Sequence, residues 1–153
     1  LITWLQLIPL PGEGGYYRET YRSPRVQAGR SQATAIYYLL TADTCSLLHR
    51  LRSDELWHFY LGDPIEQILL HPAGQVEVIR LGQNLQAGES LQSLVPAGVW
   101  QGAALAQGGQ WALLGCTVAP GFDFADWEAG QRQLLMQQFS TATHWIERLT
   151  PAQ

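Results

Sequence analysis

The chain has 153 residues, 46% of them hydrophobic and 14% charged, with 9 Lys and Arg against 13 Asp and Glu. A formal net charge of -4 argues against a nucleic-acid partner, because the broad basic footprint is missing, and the apolar content excludes a disordered chain. This length suits one domain, residues 1–153, with a core that needs neither disulfides nor structural metal.

Cys45 and Cys116 are the two cysteines, too few for a secreted disulfide framework. Reduced thiols in a cytoplasmic protein are expected. No apolar run approaches the roughly 18 residues of a membrane span, so no membrane partner is expected. Residues 1–11 lack the basic opening and cleavage site of a signal peptide. The chain opens at Leu1 rather than Met, so a preceding segment is expected.

Leu1, Trp4, Leu5 and Ile8 recur at helical spacing, which predicts a short amphipathic helix stopped by Pro9 and Pro11. Gly12, Gly14 and Gly15 then make a turn into a polar-aromatic strand over residues 16–23. Strict alternation there groups Tyr17, Glu19 and Tyr21 on one face and Tyr16, Arg18 and Thr20 on the other. Residues 23–31 read as a polar loop. Strands are predicted at 35–40, 45–50, 56–61, 65–70, 75–81, 91–95, 100–104 and 111–118, separated by Gly, Pro, Asp and Ser. A procession of short strands punctuated in this way predicts an all-β antiparallel barrel or jelly roll. After Pro120 and Gly121, residues 122–127 are aromatic and acidic and are placed over one end of the barrel. Residues 132–139 read as a short helix.

The central local pattern is His49, Glu55 and Gly62. Alternation groups Cys45, Leu47, His49 and Leu51 on one strand face, and Glu55, Trp57 and Phe59 on one face of the next. A turn around Ser53 and Asp54 then brings an imidazole and a carboxylate to the same end of the barrel interior. Pro96 and Gly98 mark a second turn, leading into Trp100 and Gln101.

These residues resemble the cupin superfamily. Its first motif, G-x5-H-x-H-x3–4-E-x6-G, is met by His49, Glu55 and Gly62, with Asp43 in place of the opening glycine and Leu51 in place of the second histidine. Pro96 and Gly98 match the second motif, and Gln101 stands at its histidine position. A closer similarity, to a small cupin family catalogued as a domain of unknown function, is carried by blocks at residues 14–21, 36–40, 49–50, 54–62, 95–100 and 115–122. It implies a cupin double-stranded β-helix with short flanking helices, and a homodimer. A common cupin metal centre has three histidines and a glutamate. With Leu51 and Gln101 at two of those positions, only His49 and Glu55 remain as firm ligands, and no metal or other cofactor is expected.

The leading functional expectation is binding of a small polar or anionic metabolite, with metal-free proton transfer or isomerisation if the protein is an enzyme. His49 and Glu55 are the catalytic candidates, His49 exchanging a proton and Glu55 orienting it. Arg18, Trp57, Phe59, Trp100 and Gln101 are the ligand-binding candidates: Arg18 as an anion clamp or a rim salt bridge, Gln101 as a polar contact, the aromatics as a pocket wall or core. The alternatives are a non-catalytic ligand-binding or structural dimer, and a degenerate metal-dependent enzyme. Whether a reaction occurs is left open by the residues themselves.

Overall fold

A computed structural model describes residues 1–151. After α1 (Ile2–Leu5), the strands are β1 (Ile8–Pro9), β2 (Tyr16–Arg22), β3 (Val26–Gln27), β4 (Arg30–Ser31), β5 (Thr34–Thr41), β6 (Ser46–Arg50) and β7 (Asp54–Gly62). They continue with β8 (Ile65–Leu70), β9 (Val76–Leu81), β10 (Gln92–Val95), β11 (Trp100–Leu105), β12 (Trp111–Ala119) and β13 (Glu128–Ala129). Helices α2 (Arg132–Gln138) and α3 (Thr143–Arg148) follow.

Two large sheets result, in the orders β1-β2-β5-β12-β7-β10 and β13-β6-β11-β8-β9, with antiparallel pairing throughout both, and β3 and β4 form a separate two-stranded sheet. β12 pairs with both β5 and β7, so a late strand completes the sheet begun by early ones. Alternation on β7 buries Glu55, Trp57 and Phe59 and leaves Leu56 and His58 half exposed, because one face meets the opposing sheet and the other faces outward. β11 is buried at every residue because the interior covers one face and the C-terminal helices the other. The inter-sheet core is built around Tyr38, Leu40, Trp57, Phe59 and Leu114, and a second cluster joins Leu48, Ile68, Leu70 and Trp100 to Leu135, Phe139 and Ile146.

Four local expectations are corrected. Gln6 adopts φ 53 and ends α1 after one turn, so Leu5 and Leu7 pack on the first sheet while Trp4 is 85% exposed and Ile8 joins β1. The polar segment 23–31 contains the β3–β4 hairpin, whose turn residues Ala28 and Gly29 both have positive φ, as a tight two-residue hairpin turn requires. On β6, a register irregularity between the pairs Gln101–His49 and Ala103–Ser46 breaks the alternation: His49 and Ser46 face the interior and Cys45 packs toward the helices. On β2, Thr20 is an extra residue between the pairs Glu19–Ile36 and Tyr21–Ala35. The bulge leaves Tyr21 52% exposed and turns Arg22, rather than Tyr21, to the same side as Tyr17 and Glu19.

Candidate functional site

The Gly-rich turn before β2 positions an acid that the sequence reading passed over. Gly14 N–H donates to Leu10 O and Leu10 N–H to Gly15 O, closing the turn. Glu13 O accepts from Leu47 N–H at 2.8 Å, and Tyr38 OH donates to Gly14 O at 2.8 Å, so the turn is tied to β6 and β5. Gly14 has φ 98, and a Cβ there would lie 2.4 Å from Cys45 O. Only glycine allows this close approach. Glu13 is thereby pressed against β6, where Ser46 Oγ donates to its Oε1 at 3.1 Å and its Oε2 lies 3.6 Å from His49 Nε2. A single acid set among three glycines was the available sequence signal.

His49 is 1% exposed. Its Nδ1 lies 2.7 Å from Leu47 O. A carbonyl only accepts, so Nδ1 carries the proton, and in the neutral ring Nε2 presents its lone pair. The Trp127 ring lies against the imidazole, with centroids 6.2 Å apart and planes 20° from parallel.

Glu55 enters from β7. Gln101 Nε2 donates to its Oε2 at 2.6 Å, and Gln101 Oε1 accepts from Trp57 Nε1 at 2.9 Å. Burial, reinforced by the negative charge of Glu13, raises the Glu55 pKa to about 7; His49, Gln101 and the Cys116 thiol act in the opposite direction. Burial and the nearby carboxylates of Glu55 and Glu13 hold the Cys116 thiol well above its usual range, so it remains protonated.

His49, Glu55 and Glu13 share a cavity of about 340 Å³. Leu10, Ile36, Leu51, Cys116 and Val118 supply apolar wall, and Tyr17, Glu19, Arg22, Thr34, Phe122, Asp123 and Phe124 also line it. The segment after β12 therefore covers this end of the barrel. Phe122 N–H donates to Thr34 Oγ1, Arg22 Nη2 donates to Phe122 O, and Arg30 pairs with Asp126. A larger, more open groove of about 800 Å³ runs beside the β3–β4 hairpin, away from His49 and Glu55.

His49 and Glu55 thus meet in one cavity, and Gln101 stands directly behind Glu55. The other candidates lie elsewhere. Arg18 is on the outer sheet face, its guanidinium 5.4 Å from the Tyr37 ring centroid, because β2 alternation opposes it to Tyr17 and Glu19. Trp57 and Phe59 are core residues beneath the cavity rather than its wall. Trp100 faces the helices and carries the Arg50 guanidinium 4.5 Å above its ring. Besides Glu13, the sequence reading did not assign Glu19, Arg22 or Asp123 to a pocket.

The residues do not fit the metal centre common in related folds. Leu51 lines the cavity without a donor atom, and both ends of the Gln101 carboxamide are committed to Glu55 and Trp57. Among the described residues, no group of three or more His, Cys, Asp or Glu side chains is arranged to hold a metal ion.

No helix among the described residues is long and apolar enough to cross a membrane.

Comparison with known proteins agrees with the fold. A protein from Shewanella oneidensis, SO0799, superimposes with a TM-score of 0.92 at 35% identity, covering 99% of this chain and 96% of that one. A hypothetical protein from Leishmania major gives 0.89 at 33% identity, covering 99% and 97%. The uncharacterized protein YML079W of Saccharomyces cerevisiae is 33% identical over 74% of this chain, a match that spans 66% of the yeast protein. Residues 1–130 match the profile of the family described as Cupin superfamily (DUF985), and the chain belongs to that family.

Proposed function

We propose that this cupin binds a small polar metabolite in the cavity between its sheets and that His49 and Glu55 exchange a proton with it without a metal ion. The observation that carries this reading is the buried His49–Glu55 pair facing one cavity, the first with its Nδ1 proton held by Leu47 O and the second with a pKa of about 7. The pair offers an acceptor, Nε2, opposite the held Nδ1 proton, and a carboxyl that keeps its own proton up to about pH 7. His49 Nε2 takes a proton from the ligand, and Glu55 delivers its own proton to a second ligand atom. Imidazolium and carboxylate are left, and return of the proton from His49 to Glu55 restores the start. The Glu13 carboxylate offsets the charge that His49 acquires. Such a transfer is an isomerisation, with no net change in the ligand's atoms or electrons.

The test is solvent-deuterium exchange into a panel of small polar metabolites, followed by proton NMR after treatment of the protein with chelator. Exchange by the natural protein, lost in a folded His49→Ala variant, supports the reading; exchange that survives that variant overturns the assigned role. Binding without exchange favours the second reading, a non-catalytic ligand-binding dimer, whose association the exposed outer face of the first sheet supports. Tyr60, Leu61 and Leu94 are 41%, 50% and 54% exposed there, and we propose that a second copy of the chain covers them as a homodimer.

A further inference from the structure

The cavity wall holds more acid than base. Glu13, Glu19, Glu55 and Asp123 line it, against one guanidinium, Arg22, and the imidazole of His49. Arg22 Nε and Nη2 donate to the two carboxylate oxygens of Glu19 at 2.9 and 2.8 Å, so these charges are matched within the wall. Outside that pair, three carboxyl groups, Glu13, Glu55 and Asp123, share the wall with the single imidazole of His49. Asp123 accepts from Ala125 N–H and forms no ion pair among the described residues, although Arg22 and Arg30 feel its charge.

Acidic side chains on a surface are ordinarily just solvated. Here they line a recess that reaches the 1%-exposed His49, whose Nε2 is 3.6 Å from the nearest carboxylate, beyond hydrogen-bond length. A ligand entering the recess therefore meets a ring nitrogen without a hydrogen bond, a surplus of carboxyl groups over cationic ones and an apolar wall. Low-dielectric walls focus that charge on whatever enters.

We infer that the cavity takes a small organic amine, its ammonium group drawn by Glu13 and Asp123 and its apolar or ring-bearing body lying among Tyr17, Ile36 and Phe122. This rests on the reading of the cavity as a ligand site and specifies the ligand's charge class. Arg18, which would have served an anion, lies outside the cavity on the opposite face of β2. Ionisation of Glu55, which is faced by Glu13, His49, Gln101 and Cys116, adds a further carboxylate as pH rises through about 7. Preference for the cation therefore exists below that pH and grows above it.

The test titrates the full chain with benzylamine, benzyl alcohol and benzoate, which share a ring and differ in charge. Protein NMR reads affinity and location from the signals of Tyr17, His49 and Trp127. At low salt, protonated benzylamine is expected to bind about tenfold tighter than benzyl alcohol, with benzoate weakest. The gap narrows in Asp123→Asn and in Glu13→Gln, and the first of these keeps the test available if the second fails to fold. Equal binding of amine and alcohol, or tighter binding of benzoate, at the same signals overturns the amine assignment and leaves the small-molecule site standing. No perturbation by these three or by their cyclohexyl counterparts overturns both.

Discussion

Gln101 donates to Glu55 across the barrel interior at 2.6 Å, and the same carboxamide receives the Trp57 indole N–H at 2.9 Å. Its two ends are thereby oriented: Nε2 toward the carboxylate, Oε1 toward the indole. The residue at the second-motif histidine position is thus part of a polar chain running from the core to the cavity.

Truncating Gln101 to Ala removes partners from two buried groups at once. Each orphaned group costs about 1–3 kcal/mol, so a loss of about 2–6 kcal/mol is expected in urea unfolding. Because the Gln101 hydrogen bond favours the ionised carboxyl, the Glu55 pKa is expected to move further upward in the variant, read by carboxyl-carbon NMR.

Glu55 also makes stability depend on pH. Its folded pKa of about 7 lies above the ordinary 4.5, so between these values the folded chain binds more proton than the unfolded chain. Stability from this group is greatest below about pH 4.5 and declines as pH rises to about 7, where a cost on the order of 3 kcal/mol is fully developed. Glu55→Gln is expected to be the more stable protein at about pH 8 and to lose that advantage near pH 4, as measured by chemical unfolding at both.

Gly14→Ala tests how Glu13 is held. The new methyl group meets Cys45 O at 2.4 Å in a left-handed backbone conformation, so both the clash and the strain oppose folding. A loss of about 2–4 kcal/mol is expected in the unfolding free energy, read from urea unfolding. The turn must move away from β6, and the His49 ring signals are expected to shift although the substituted residue does not touch that ring.

The outer face of the first sheet predicts association. Tyr60 lies over Gly115, forms an edge contact with Tyr37 at 6.2 Å and stacks on His58, giving a preformed aromatic surface. Leu94→Glu, on the neighbouring strand, places a charge there without touching the cavity. Sedimentation is expected to show a dimer for the natural chain and a monomer for the variant, with NMR-detected ligand binding in the cavity retained.

The sequence by itself determined the architecture. Short strands at 35–40, 65–70 and 111–118 with Gly and Pro separators specify an antiparallel barrel, because period-two burial and turn chemistry are local properties. The placement of His49 and Glu55 in one interior was also legible, since Glu55 shares its strand parity with Trp57 and Phe59 in an uninterrupted run. What only the tertiary structure decided lies where alternation breaks or where the chain returns from a distance. The bulge at Thr20 turned Arg22 into the cavity, and the irregular register of β6 placed Ser46 rather than Cys45 beside Glu13. Glu13 reached His49 through a contact between segments 36 residues apart in sequence, and Asp123 joined the cavity wall through the return of the chain after β12. Bulges cost one residue of register and leave no periodic trace, and the meeting of distant segments depends on packing that no local pattern encodes.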